Sequence, residues 1–328
     1  MRLPPILLSF HYLGLGNLRS LLEEILKYNA CDILIDSGAF SAHRLNKSIR
    51  LTDYIDACKW LLDFKCVWGC IQLDQIGNAE GSRRNLDRMV KAGVKPMPVL
   101  TTDSSLSVLD EYLAINNRVC IAGGLGRFDG VQKWSYDRYR KCTALHPKAE
   151  FHGLGYVRWP EMFTCGLRSA DSSSHSAGER FGCLARFDRT EASSRKSGGV
   201  MNLQRQILTD DQPWSTIKQP LRDYLDGCGI TKTQWRSRDK MNVGPCSFAS
   251  FSMTCASVQQ SLYTETHNVK AFLAASNWNA AMRCMVCAKH CLSNGCFDYW
   301  KAAEDLRKLM IAPLSIRNSL AVAYMMEI

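Results

Sequence analysis

The feature that most constrains this chain is a regular alternation, running from residue 6 to residue 158, of short apolar runs and longer amphipathic ones. The apolar runs fall at 6–12, 32–35, 66–73, 96–100, 119–122 and 151–154. Between them, apolar residues recur at helical spacing over 18–28, 51–64, 81–92, 107–115 and 131–145. In 51–64 the residues Tyr54, Ala57, Leu61 and Leu62 share one side, and Gly93 and Pro147 stop two of the later helices. Repeated strand–helix units with short connections predict a parallel sheet with helices packed on it. No Gly-x-Gly-x-x-Gly turn follows the first strand, which argues against a dinucleotide-binding fold. About seven such units fit a TIM (β/α)8-like barrel followed by a mostly helical C-terminal region.

A further short strand leads to Asp171, and Gly182–Phe187 is the candidate eighth strand. The division expected is a catalytic barrel over 1–190 and a mostly helical, basic, nucleic-acid-binding region over 191–328. Helices are expected there at 221–225, 269–275, 279–292 and 297–310.

The strand ends are polar or glycine-rich: Asp36-Ser37-Gly38, Asp74-Gln75, Thr102-Asp103, Gly123-Gly124 and Asp171. In a barrel such tips converge on one face whatever their separation in sequence. Carboxylates brought together there repel, and their pKa values separate, so that one can serve as nucleophile and another as acid and base. Gly123 and Gly124 leave room for a flat ligand against the backbone. Gly153 and Gly155 break the strand ahead of Pro160, which suits the first turn of a helix. The opposing reading is that each aspartate caps the helix that follows it.

Composition narrows the partner. There are 41 Lys and Arg against 31 Asp and Glu, a net charge of +10, which favours a polyanion, nucleic acid first. Arg180, Arg186, Arg189, Arg195, Lys196 and Arg205 follow Asp171, and Lys232, Trp235, Arg236, Arg238 and Lys240 form a second basic cluster around an aromatic. Cations neutralise phosphates, and the aromatic can stack on a base. No apolar run approaches the ~20 residues that span a bilayer. Ser9, His11 and Asn17 interrupt the opening apolar segment, so no export signal is read and no membrane is expected. The 15 cysteines are then expected to be reduced thiols of an intracellular protein. Cys284-x2-Cys287-x3-Cys291-x4-Cys296, with His290, is the one dense Cys/His cluster. It reads either as a structural zinc site or as small thiols lining the buried face of a helix.

A family resemblance joins these tips. Ile35-Asp36-Ser37-Gly38-Ala39-Phe40 resembles the Asp-Ser-Gly-Gly-Phe/Tyr motif of tRNA-guanine transglycosylases. Leu73-Asp74 resembles their base-recognising aspartate, and Ala122-Gly123-Gly124-Leu125 their glycine loop. His152-Gly153-Leu154-Gly155, with Pro160-Glu161 and Asp171, is similar to their Gly-Val-Gly-x-Pro-Glu segment leading to the nucleophile. Order and approximate spacing hold over 32–175. Ala39 replaces the second glycine, and Val99-Leu100-Thr101-Thr102 stands where the family has Gln-Gly. Ser169-Ala170-Asp171-Ser172-Ser173-Ser174 replaces the family's Phe-Asp-Cys-Val-x-Pro-Thr-Arg, and the chain is shorter than the tRNA enzymes. The cysteine spacing also differs from the family's zinc motif. The nearest likeness is the DNA-guanine transglycosylase branch called DpdA, mostly encoded by phages and bacterial islands.

What the resemblance implies is exchange of guanine in DNA for a free 7-deazaguanine base, in the cytoplasm of a bacterial host. Asp171 would attack the sugar C1′ and Asp36 would manage the proton of the departing and entering base. Asp74 would accept from the guanine edge, with Ser37, Gly123, Gly124 and Gly153 binding the same base. No cofactor is required for this chemistry. The same exchange on tRNA is the runner-up, and a non-catalytic nucleic-acid-binding barrel is the alternative from another class.

Overall fold

The computed structural model describes residues 4–12, 31–123, 131–156, 161–174, 184–187, 200–204, 214–216, 242–243 and 246–275, with isolated helical positions at 219, 222, 223, 226, 280, 283, 284, 286–288, 290 and 305. In chain order the elements begin with β1 (Ile6–Ser9), β2 (Ile33–Asp36), α1 (Ala39–Arg44), α2 (Leu51–Leu61), β3 (Val67–Cys70), α3 (Ala79–Lys91) and β4 (Val99–Leu100). A 3-10 turn at Leu106–Val108 leads into α4 (Leu109–Ile115), then β5 (Arg118–Ala122), α5 (Val131–Leu145), β6 (Glu150–Leu154), α6 (Glu161–Thr164) and β7 (Ser169–Ser172). The remainder comprises β8 (Leu184–Phe187), β9 (Val200–Gln204), β10 (Asn242–Val243), β11 (Cys246–Ser247), α7 (Phe248–Glu265) and β12 (Lys270–Ala275).

Eight strands form one sheet in the order β3-β2-β1-β12-β7-β6-β5-β4, and every pairing within it is parallel. Parallel sheets are covered on both faces, so their strands read as continuous apolar runs; all four residues of β1 are buried. Alternation along each strand sorts the two faces. Val119, Ile121, Phe151 and Ala170 pack with Leu86 of α3, Leu109 and Tyr112 of α4, Tyr139 of α5 and Met162 of α6. On the other face, Cys120 packs with Leu7, Leu34, Ile71, Val99 and Phe272. Each fully buried Leu, Val or Phe contributes roughly 1.5–3 kcal/mol of transfer free energy.

That second cluster draws residues from strands far apart in the sheet order, which requires the sheet to curl. The Trp68 ring of β3 lies 5.3 Å from Phe272 of β12 and 6.3 Å from His152 of β6. The outermost strands also approach each other. Ile71, just past β3, makes a parallel bridge to Met97, just before β4. Met97 N–H donates to the Cys70 carbonyl at 2.8 Å and Gln72 N–H to the Met97 carbonyl at 3.0 Å. At the strands' N-terminal side the Arg118 guanidinium stacks over Trp68 at 4.3 Å and donates to Glu150 at 2.7 Å and to the Trp68 carbonyl at 2.6 Å. The concave interior is thereby filled on that side, and the strands' C-terminal ends are left as its mouth.

Two sequence expectations are corrected. The 182–187 segment supplies no strand to the parallel sheet; β8 pairs antiparallel with β9 in a separate two-stranded sheet. The eighth strand is β12, read from sequence as a helix over 269–275. It lies between β1 and β7, with Ile6 opposite Leu273 and Asp171 opposite Phe272. Its sequence, Lys-Ala-Phe-Leu-Ala-Ala, is a short apolar run that periodicity alone assigns to neither helix nor strand. The sheet thus draws on both sides of residue 190. Helix 51–64 ends at Leu61 and helix 81–92 begins at Ala79, where the Asn78 side chain accepts from Gly81 N–H at 2.8 Å. The helix expected at 18–28 lies outside the described residues, as do 221 and most of 297–310. No helix among the described residues is long and apolar enough to cross a membrane.

Candidate active site

Three carboxylates reach the mouth from three different strands. Asp36 is the last residue of β2, in register with Ser9 of β1. Its alternation partner Leu34 belongs to the concave cluster, so Asp36 faces inward. The turn after it needs a glycine. Gly38 has φ of 80°, and a Cβ there would run into His11 Cβ and stand 2.5 Å from Ser9 Oγ. This turn lets Gly38 N–H donate to Asp36 Oδ2 at 3.0 Å. The Ser37 hydroxyl, fully buried, accepts from Ala39 N–H at 3.3 Å and opens α1.

Asp74 follows β3 in a segment pinned on both sides. The buried Gln72 side chain accepts from Val99 N–H at 2.9 Å and donates to the Ser82 carbonyl at 3.3 Å. Asn85 donates to the Leu73 carbonyl at 3.0 Å, and Gln75 N–H donates to Ser82 Oγ at 2.7 Å. Four side-chain bonds to α3 and β4 thus hold the backbone around Asp74 while the carboxyl itself stays at the mouth.

Asp171 sits on β7 with the same inward alternation as Ser169. Its Oδ1 accepts from Gly155 N–H at 2.9 Å and faces His152 Nε2 at 3.2 Å. Gly155 adopts φ of 65°, which turns its N–H toward that oxygen. His152 Nδ1 lies 2.9 Å from Ser169 Oγ. The side chain of His152 is wholly buried and that of Asp171 is 13 % exposed.

Burial, then the neighbouring Asp171 and Asp74, push the Asp36 carboxyl up to about 7, against hydrogen bonds from the Gly38 and Ser37 backbone. Burial pushes Asp74 up to about 6. Cys120, on the inward face of β5 beneath the mouth, is raised well above its usual value by burial and then by all three aspartates. Asp36 thus feels both other carboxylates and Cys120 feels all three, as tips converging on one space require. A carboxyl poised near 7 exchanges a proton readily at neutral pH.

The other expected site residues divide. Gly153 faces the helices, where a Cβ would stand 2.8 Å from Leu167 Cδ1 and 3.3 Å from Tyr156 Cβ. Gly123 follows β5 directly, where a Cβ would stand 3.2 Å from the Tyr139 hydroxyl. Asp103 is a helix cap and not a member of the cluster. It accepts from Ala79 N–H at 3.0 Å and from Thr101 at 2.6 Å, which hold its carboxyl below the usual range. Gly124, Arg180, Arg189, Arg195, Lys196, Arg236, Arg238, Cys291 and Cys296 lie outside the described residues, and Arg186 falls within β8. Cys284 and Cys287 are fully buried at helical positions, and burial pushes the Cys284 thiol up to about 12. Among the described residues no three His, Cys, Asp or Glu side chains are grouped to hold a metal ion.

Sequence reasoning passed over two residues of the site. Ser9 places a buried hydroxyl, with no hydrogen-bond partner among the described residues, next to the Gly38 turn. His152 is the partner of Asp171, and its signal was a histidine two residues before Leu154 on the inward alternation of β6. No protein-family model matches this chain, and neither a curated protein nor a solved structure does.

Proposed function

We propose that this chain is a base-exchange transglycosylase that replaces guanine in DNA by a 7-deazaguanine base such as 7-cyano-7-deazaguanine. The observation that carries the reading is the junction of three carboxylates from three strand ends, one of them tuned to about 7. The fold it rests on is a closed TIM-like (β/α)8 barrel, supported by the Ile71–Met97 bridge between the outermost strands.

The reaction runs in two displacements. An Asp171 carboxylate oxygen attacks C1′ of the target nucleotide; the C1′–N9 bond breaks and its electron pair leaves with guanine. Asp36, protonated part of the time at neutral pH, gives the departing base its proton. The incoming base returns a proton to Asp36 as its N9 displaces Asp171 from C1′. One glycosidic bond replaces another, so no ATP is consumed. Asp74 accepts the N–H donors of the guanine Watson–Crick edge, and the backbone at Gly123 bounds the base. The nucleotide must leave the stack to reach the pocket. DNA is preferred to tRNA because the residues flanking Asp171 lack the tRNA enzymes' sequence and because basic clusters follow Asp171 in the sequence. Those clusters neutralise phosphates in the cytoplasm of a bacterial host.

The test is incorporation of labelled 7-deazaguanine base into equimolar DNA and tRNA in one tube. Label enters DNA, and Asp171→Asn abolishes incorporation while nucleic-acid affinity stays within about threefold. Label found only in tRNA overturns the choice of polymer, and normal turnover by Asp171→Asn removes the nucleophile.

A further inference from the structure

Ser169, His152 and Asp171 stand in one hydrogen-bonded line, with contacts of 2.9 and 3.2 Å. The line runs from the sealed interior to the mouth: Ser169 and His152 are fully buried, and only Asp171 is partly exposed. A serine hydrolase needs the opposite order, with the hydroxyl at the open end. Here the carboxylate is the working end and the serine the buried anchor.

Resting on the base-exchange reading, we propose that His152 is a positioning residue that clamps Asp171 Oδ1 and leaves Oδ2 as the attacking and leaving atom. An ionised carboxylate only accepts, so Nε2 of His152 carries the proton and donates to Oδ1. The neutral ring then accepts at Nδ1 from the Ser169 hydroxyl. Gly155 N–H donates to the same Oδ1 at 2.9 Å. Trp68 and Phe272 flank the imidazole, their ring centres 6.3 and 5.9 Å away, and hold its plane. Both donors thus fall on one oxygen, and none among the described residues falls on the other.

The clamp has a chemical consequence beyond orientation. When Oδ2 forms its bond to C1′, the carboxylate becomes an ester and Oδ1 its carbonyl oxygen, a weaker acceptor. When the entering base displaces it, the C1′–Oδ2 electron pair returns to Asp171 and charge reappears on Oδ1. Donors on Oδ1 therefore favour the free carboxylate over the ester. They make Asp171 a better leaving group and keep the covalent intermediate from accumulating. The proton stays on Nε2 throughout.

Three variants test this: His152→Phe, which keeps an aromatic without the donor; His152→Gln, which restores an N–H near the place of Nε2; and Ser169→Ala. Exchange, the fraction of protein trapped as a covalent DNA adduct, and melting temperature are measured on each full-length protein. His152→Phe loses tenfold or more in kcat with KM for the base within about twofold, while its steady-state adduct fraction rises above wild type. His152→Gln recovers most of the turnover and returns the adduct to the wild-type level. Ser169→Ala falls between. A loss of turnover and adduct together in His152→Phe, unrescued by His152→Gln, reduces the residue to a packing role and overturns the proposal, as does unchanged turnover. The hydrogen bond is also read without any reaction: in 15N-histidine NMR, His152 is the Nε2-protonated tautomer, and an Nδ1-protonated ring overturns the clamp. Wild type incorporating no labelled base into DNA or tRNA would instead refute base exchange, with the NMR result still deciding the bond.

Discussion

Asp36 carries a stability consequence of its own. Its carboxyl is raised by burial and by Asp171 and Asp74 from the usual 3.8 to about 7. The folded state therefore holds a proton that the unfolded chain releases, so this group's contribution is present below about pH 4 and is lost as pH rises through 7. The full loss is at most about 4 kcal/mol, shared with the coupled aspartates. Asp36→Asn, which keeps an oxygen for Gly38 N–H, is expected to melt above wild type at pH 8 and near it at pH 4. A difference in melting temperature that does not grow between those pH values contradicts the assignment. The residues behind this effect were legible in the sequence as polar tips of apolar strands. His152 was not, because its neighbours in space, Trp68, Phe272 and Ser169, come from three other strands. No local pattern states which inward positions meet across a curled sheet. Asp103 shows the reverse limit: a strand-end aspartate is equally well a cap, and only its bond to Ala79 N–H decides.

Among the elements, the β2–α1 turn has the least latitude. Gly38 combines a left-handed backbone with contacts to His11 and Ser9 that leave no room for a methyl group. Gly38→Ala is expected to cost about 2–5 kcal/mol, combining roughly 1–2 for the backbone and 1–3 for overpacking. It also moves the N–H that holds Asp36, so the proposed exchange is expected to fall more than stability alone explains; a chemical denaturation midpoint beside a rate separates the two. The element pattern itself was readable wherever amphipathic helices alternate with apolar strands, as in 51–61, 79–91 and 131–145. It was misread at β12, a hexapeptide apolar apart from its first residue Lys270 and closely preceded by α7. Burial on both faces removes the two-residue alternation that identifies a strand.

Over the whole molecule, the eighth strand governs what can be divided. β12 pairs with β1 on one side and β7 on the other. A fragment ending at residue 190 leaves both of those edges unpaired and uncovers Leu7 and Leu34, which share a cluster with Phe272. Such a fragment is expected to aggregate or to lack a cooperative melting transition. Co-expression with residues 191–328 should restore solubility if the strand can be supplied in trans. A fragment that melts cooperatively and alone would show that the sheet tolerates the gap.

The same strand sets a time order. Ile6 and Leu273 are far apart in sequence, and contacts of such long sequence separation form late and slowly. During synthesis β2 is made soon after β1, but β12, the other neighbour of β1, follows only after residues 10–269. Asp171 waits as well, since Phe272 is its partner across the β7–β12 ladder. An unfinished copy therefore holds Asp171 only through His152 and Gly155, and the carboxylate cluster at the mouth is complete only once β12 has joined the sheet.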